Sequence, residues 1–308
     1  MNKLIVSSSP HIKTNNDTQR VMLDVIIALI PALIAGTIIY GIRALLVVLS
    51  CVVASVASEF IFNLVVKKEQ TVFDLTAVIT GLILGLSLHA NAPIWQCVIG
   101  SVFAIVVVKC LFGGLGANFA NPAATARIFL LVSFTATING GANPVDLKAG
   151  ATPLVQLAEG GKIPSLLDML LGQRGGSIGE ACIIALVIGF VYLVVRKVIH
   201  FEVPLIMIAT VFVLYIIVEG DFNIALYQVL AGGLVFGAVF MATDYVTTPI
   251  SRTGKMIFAF GAGLITFLIR MFDKAPEGVS YAIVLMNILS PYIEKWTAPK
   301  ALGKRGNK

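Results

Sequence analysis

Two overwhelmingly apolar runs, Met22–Tyr40 and Ala44–Val66, follow one another with only Gly41-Ile42-Arg43 between them. Each matches the ~20 residues that a helix needs to cross a hydrocarbon layer at about 1.5 Å per residue. The pattern continues to the end of the chain, for ten such segments in all. Ile94–Phe112, Ile178–Val198, Val203–Val218, Ile224–Ala242 and Met256–Met271 read as full crossings. Thr76–Leu88, Pro122–Ile138 and Val279–Ile293 are shorter and are expected to be half-spans or tilted, discontinuous helices. Hydrophobic residues make up 58% of the 308 and charged residues 12%, against about 45–50% and about 25% in soluble domains. A soluble enzyme, a disordered chain and a secreted disulfide scaffold are excluded. Backbone polar groups in lipid must be satisfied within each segment, so the expected fold is an all-α integral membrane protein.

The basic residues orient it. Ten spans place both termini on one side. Counting that side as cytoplasmic gives it fifteen of the 22 Lys and Arg, Lys67, Lys68, Lys109, Arg196 and Lys197 among them, against six opposite, with Arg127 inside the fifth span. Lys and Arg accumulate in cytoplasmic loops. Both termini are therefore expected inside. The net charge of +6 is explained by the same bias. No basic stripe interleaved with aromatics points to nucleic acid; the chain's surroundings are lipid.

The expected layout is a cytoplasmic tail (1–20), a first membrane repeat (21–138), an extracytoplasmic loop (139–177), a second repeat (178–293) and a basic cytoplasmic tail (294–308). Gly81 and Gly85 before Pro93 are echoed by Gly233 and Gly237 before Pro249. Five spans is an odd number, so the second copy would enter from the opposite side, the inverted plan of many transporters. Cys51, Cys97, Cys110 and Cys182 lie in apolar stretches without a C-x-x-C and read as small packing residues. His11, His89 and His200 are scattered. No metal site and no catalytic residue is expected in this chain. Asp24 and Arg270 read as interfacial, and Glu59 sits far enough along its span to approach the interface.

Three segments carry chemistry. In Gly116-Ala-Asn118-Phe-Ala-Asn121-Pro122, asparagines three apart before a helical Pro can point in one direction. Asn121 is equally a natural N-cap; the alternative is a polar intramembrane site. Asp244, in Asp244-Tyr-Val-Thr-Thr-Pro249, is either solvated or functional. If the halves face each other, Asp244 converges with Asn118 and Asn121. Asp146-Leu-Lys-Ala-Gly150-Ala151-Thr152 reads, on its residues alone, as a flexible loop presenting a hydroxyl. The loop around it is long enough to be functional, and Leu166–Leu171 could form a short amphipathic turn.

DLKAGAT also resembles the D-x-x-[ST]-G-A-T site at which a flavin transferase attaches FMN, with Ala149 in place of the usual Ser or Thr. Ser7–Ile12 (SSSPHI), Met22–Leu33 (MLDVIIALIPAL), Leu111–Ala123 (LFGGLGANFANPA), Met241–Lys255 (MATDYVTTPISRTGK) and Ala275–Asn287 (APEGVSYAIVLMN) extend the likeness over most of the chain. It resembles the D subunits of Rnf complexes, ion-translocating ferredoxin:NAD⁺ oxidoreductases. Their family is shared with the B subunit of sodium-translocating NADH:quinone reductases, which usually carries a longer N-terminal extension. The resemblance implies a urea-transporter-like fold of two inverted five-helix repeats. It implies covalent FMN on Thr152, with Asp146, Gly150 and Ala151 as attachment motif, and a noncovalent riboflavin near Asn118, Asn121 and Asp244. The implied partners are a second covalent-FMN subunit, iron–sulfur subunits, a NAD-binding subunit and the flavin transferase. The implied activity is redox-driven export of Na⁺ or H⁺. A reading of a different class is a channel or secondary transporter for a small polar solute, which would be colourless where a covalent flavoprotein is yellow.

Overall fold

The computed structural model describes residues 18–138, 141–142, 149–150, 154, 165–172, 174–272 and 278–298. Almost all of them are helical. The first half contains α1 (Thr18–Tyr40), α2 (Ile42–Val66), α3 (Thr76–Ser87), α4 (Ile94–Val102, running on as a π-helix Phe103–Cys110), α5 (Pro122–Ser133) and the short α6 (Thr135–Ile138). Then come β1 (Gly141–Ala142) and β2 (Ala149–Gly150), which pair antiparallel with Gly141 opposite Gly150. The second half contains α7 (Leu166–Leu171), α8 (Ile183–Val195), α9 (Glu202–Glu219), α10 (Phe222–Leu230), α11 (Leu234–Phe236, running on as a π-helix Gly237–Met241), α12 (Arg252–Phe272) and α13 (Val279–Thr297).

The chain is an all-α, multi-pass membrane protein. By length and apolarity α1, α2, α9 and α12 can cross a membrane, and α10 with α11 makes a fifth crossing if that pair, bent by 61°, counts as one. The expected short third and fifth segments are twelve-residue helices. Three expectations are corrected. The tenth segment is not short, since α13 runs for 19 residues with Pro291 inside it. The sixth is not a full crossing: Ile178–Glu180 forms a separate 3₁₀ turn, and only Ile183–Val195 is α-helical. Arg174 donates to the Glu180 carbonyl at 2.8 Å and the Ile178 N–H to the Leu88 carbonyl at 2.9 Å, which holds this stretch outside the helix. The eighth is broken where continuity was expected. Gly232 takes φ +67° at the break, a backbone that favours glycine.

Helix ends follow local chemistry. Asn121 caps α5 by accepting from the Ala123 and Ala124 N–H groups at 3.0 and 3.1 Å, with Pro122 at the first helical position. Ser165 and Asp168 form a reciprocal capping box on α7, so Leu166–Leu171 is a helical turn and a half. The Asp221 side chain caps α10 through the Asn223 N–H at 2.8 Å.

The two halves pack in corresponding ways. α2 is central to the first, against α1, α3 and α4; α9 is central to the second, against α10 and α12. Across the halves α1 packs on α8 and α5 on α13. Both pairs run antiparallel. Asp24 near the start of α1 meets Tyr192 and Arg196 at the end of α8, while Gly36 near the end of α1 meets Ile178. Asn121 at the start of α5 meets Asn287, while Arg127 lies with Ser280. Like elements pairing antiparallel is what a two-fold axis in the membrane plane produces. Small residues allow the close approaches: a Cβ on Gly81 would lie 2.6 Å from the Val52 Cα, and one on Gly85 2.8 Å from the Val48 Cα. Side chains such as Ile38, Val53, Val65 and Ile217 face outward, as a lipid-facing surface requires, and exposed Trp95 and Trp296 sit near helix ends.

Candidate functional site

A cavity opens between the halves, with about 130 Å³ of space open to water-sized groups. Its walls are the start of α1 (Met22, Val25), α3 (Thr76, Ile79, Thr80, Ile83), Lys109 on the first π-helix, the turn before α5 (Leu115, Asn118, Asn121), the end of α8 (Leu193, Val198, Ile199) and the stretch Val239–Val246. π-Helices are rare and gather at functional positions; the two among the described residues both border this one space.

Asn118, Asn121 and Asp244 all line it. Their side chains are differently committed. Asn121 is buried; its amide oxygen caps α5 and its Nδ2 donates to the Met241 carbonyl at 3.2 Å. It therefore holds the first half to the second and has little left for a ligand. Asn118 is half-buried and donates to the Ala120 carbonyl at 3.0 Å, with an amide oxygen left to offer. Asp244, beyond the end of the second π-helix, accepts from the Val246 N–H at 3.4 Å and the Thr247 hydroxyl at 3.1 Å. Burial pushes its carboxyl above the usual range, and those two hydrogen bonds pull the other way. Aliphatic walls with a few hydroxyl and amide groups, one carboxyl and one ammonium suit a flat ring carrying a hydroxylated chain, so the residues present fit a flavin.

Other polar groups escaped the sequence reading. Lys109, counted there as a cytoplasmic loop charge, is buried; its ammonium lies 2.8 Å from Glu59 Oε1 and 2.7 Å from the Thr76 hydroxyl. Thr71 donates to the same Glu59 oxygen at 2.7 Å and receives Asn63 Nδ2 at 3.0 Å. Glu59 is thus a buried ion-pair partner. Asp24 is held by Tyr192 at 2.8 Å and by Arg196 at 3.1–3.3 Å, with Arg196 half exposed, as an interfacial pair would be.

At the centre, Arg127 and Glu180 approach to 3.9 Å, both buried, beside a small void lined by Ser87, Gly233, Met241 and Ser280. Arg174, counted as outside, is buried too, donating to the Leu230 and Glu180 carbonyls. The Asn287 amide, oriented to satisfy both neighbours, accepts from the Asn121 N–H at 3.0 Å and donates to the Thr247 carbonyl at 3.3 Å. An isolated Asn or Glu inside an apolar run was the available signal for Asn287 and Glu180.

Of the attachment motif, Gly150 belongs to β2, while Asp146, Ala151 and Thr152 lie outside the described residues. Leu154 is buried with Met169 and Ala231, against the α10–α11 break. Arg174 and Gly172 sit by the end of α1, where the Tyr40 hydroxyl donates to the Arg174 carbonyl at 2.9 Å. The cavity is at the other end of that helix, by Met22. All four cysteines are free, and no group of three or more His, Cys, Asp or Glu able to hold a metal occurs among the described residues.

Residues 5–303 match the model of one protein family, described as NQR2, RnfD, RnfE. The chain belongs to the NQR2, RnfD, RnfE family. Within it the chain is 44% identical, over 97% of its own length and 95% of the relative's, to the D subunit of the Na(+)-translocating ferredoxin:NAD(+) oxidoreductase complex of Acetobacterium woodii. It is 40% identical to the D subunit of the proton-translocating ferredoxin:NAD(+) oxidoreductase complex of Clostridium ljungdahlii, over 99% and 97%. It is 34% identical to the D subunit of the ion-translocating oxidoreductase complex of Stutzerimonas stutzeri, over 94% and 93%. These relatives are all D subunits, the side of the family on which the sequence resemblance fell. Two relatives of nearly equal identity are named for different ions, so overall likeness to this family does not decide the ion.

Proposed function

We propose that the chain is the flavin-carrying D-type subunit of an ion-translocating ferredoxin:NAD⁺ oxidoreductase complex, with FMN bound covalently at Thr152 and riboflavin bound noncovalently in the cavity at Asn118 and Asp244. Asn121 shapes that cavity by holding α5 to Met241. The flavins supply the one- and two-electron chemistry; the chain positions them and sets their surroundings. Electrons enter from another flavoprotein subunit on the outer face and return toward the cytoplasm, coupled to export of Na⁺ or H⁺. The iron–sulfur and NAD-binding steps belong to partner subunits, and the intervening carriers come from them. The chain is set in a bacterial or archaeal plasma membrane with both termini cytoplasmic, and a flavin transferase matures it.

One observation carries this reading. The cavity and the residues following the attachment loop sit at opposite ends of α1, where Met22 and Tyr40 are about 27 Å apart along the axis. A subunit that takes electrons across a membrane needs flavin positions near its two faces. Moving one charge against 100 mV costs about 2.3 kcal/mol, so a modest redox drop suffices. The test is Thr152→Ala in the assembled complex. In-gel flavin fluorescence of the subunit should vanish while the subunit remains in the membrane; fluorescence at the wild-type level would refute the attachment. A colourless wild-type protein that conducts a polar solute would instead establish the channel reading.

A further inference from the structure

The Lys109–Glu59 pair has a direction. Lys109 and its hydroxyl partner Thr76 both line the cavity, and Glu59 does not. The Lys109 side chain therefore borders the cavity, and Glu59 lies behind it. An ammonium has three N–H donors; two reach Glu59 Oε1 and Thr76 Oγ1 at 2.8 and 2.7 Å, and no further acceptor holds the third among the described residues. Glu59 Oε1 is tied down from behind by Thr71. The π-helix that carries Lys109 adds a residue to its turn, the kind of local irregularity that re-aims a side chain. Burying a Lys in a membrane span is costly, and an ion pair serving only to join helices would gain nothing by turning its cation to an open space.

We infer that Lys109 is the potential-setting residue of this cavity: its ammonium, fixed by Glu59 and Thr76 at the wall, stabilises the negative charge that a bound isoalloxazine ring acquires on reduction. This rests on the proposal that the cavity holds a noncovalent flavin. A flavin bound there would receive one electron from the preceding carrier of the complex and would carry one more negative charge until it passed that electron on. A nearby cation lowers the free energy of the charged form more than that of the neutral one. Lys109 would act on the ring's charge and not on its reacting protons, so its removal should move the potential before it moves occupancy.

The experiment uses the whole complex carrying wild-type subunit, the charge-neutral double variant Lys109→Met/Glu59→Gln, or Lys109→Arg. Noncovalent flavin is counted by mass spectrometry after denaturation, and its potential is read by spectroelectrochemical titration. The double variant should keep its flavin but hold the one-electron reduced form at least tenfold less favourably, a drop of about 59 mV; Lys109→Arg should retain most of the wild-type potential. A wild-type complex without noncovalent flavin overturns the cavity reading and this inference with it. Flavin bound in both, at coincident potentials, overturns this inference alone. If the double variant fails to assemble, Thr76→Val, which only releases the hydroxyl anchor, should shift the potential in the same direction, and no shift there refutes the role.

Discussion

Asn121 is where the cavity's architecture can be separated from its chemistry. Asn121→Ala removes two things. It takes the acceptor from the Ala123 and Ala124 N–H groups, and the loss of an N-cap costs about 0.5–2 kcal/mol. It also leaves the Met241 carbonyl without its donor, for about 1–3 kcal/mol. The sum is roughly 1.5–5 kcal/mol. Asn121→Ser keeps a capping oxygen but does not reach Met241, so it should lose only the second part. Thermal unfolding of the purified complex, followed by size exclusion, ranks the three; flavin counting runs alongside. The expected order is wild type, Ser, Ala, with noncovalent flavin in the Ser variant close to wild type. A Ser variant as unstable as Ala would refute the cap argument. A Ser variant of undiminished stability that has lost its flavin would mean that the amide binds ligand after all. Asn287→Leu removes the acceptor of the Asn121 N–H, and its effect should combine non-additively with Asn121→Ala, since the two side chains share one junction.

Asn118→Ala should leave covalent FMN intact and weaken noncovalent flavin by roughly 5- to 150-fold, the equivalent of one unpaired hydrogen bond; stoichiometric flavin at full retention would move the site elsewhere. In a Cys-free background Gly160→Cys should react with an impermeant thiol reagent in intact cells and Lys304→Cys should not; the reverse would put the attachment loop in the cytoplasm. Glu180→Gln removes the carboxylate that faces the buried Arg127 at 3.9 Å, and breaking such a pair costs about 3–5 kcal/mol. Part of that loss should return in Glu180→Gln/Arg127→Met, as read by thermal unfolding; a double variant no better than the single would refute the pairing.

Much of the architecture was visible in the hydropathy of the chain. The apolar runs located the helices; Gly81, Gly85, Gly233 and Gly237, noted there only as an echo between the halves, prove to stand at close approaches. The breaks were misplaced, because a run of apolar residues reports burial or lipid contact and says nothing of where a helix is interrupted. The interruption at 178–180 is made by Arg174 and Leu88, from other parts of the chain. The one at 231–233 is stabilised by Leu154 and by the Glu180 carboxylate, which occupy the space that side chains on Gly232 and Gly233 would fill. No window of neighbouring residues contains that information.

The same distinction explains the cavity. Asn118, Asn121 and Asp244 could be grouped because each is a polar residue at the end of an apolar run, and the echo between halves brought the ends together. What each does there depends on partners. Asn121 is absorbed by Met241 and the α5 N-terminus, although its sequence context is nearly that of Asn118. Lys109 was read incompletely for the opposite reason. Charge counting assigns a Lys near a span end to a side of the membrane and says nothing of a buried acceptor on that side. Glu59 is fifty residues earlier in the chain and meets Lys109 only because α2 packs along α4 and its π-helical continuation. A Lys within one span and a Glu within another are each unfavourable in lipid alone. Two such charges, in spans that follow one another closely, are a stronger signal together than either is by itself, and they mark the first place to look for a buried pair.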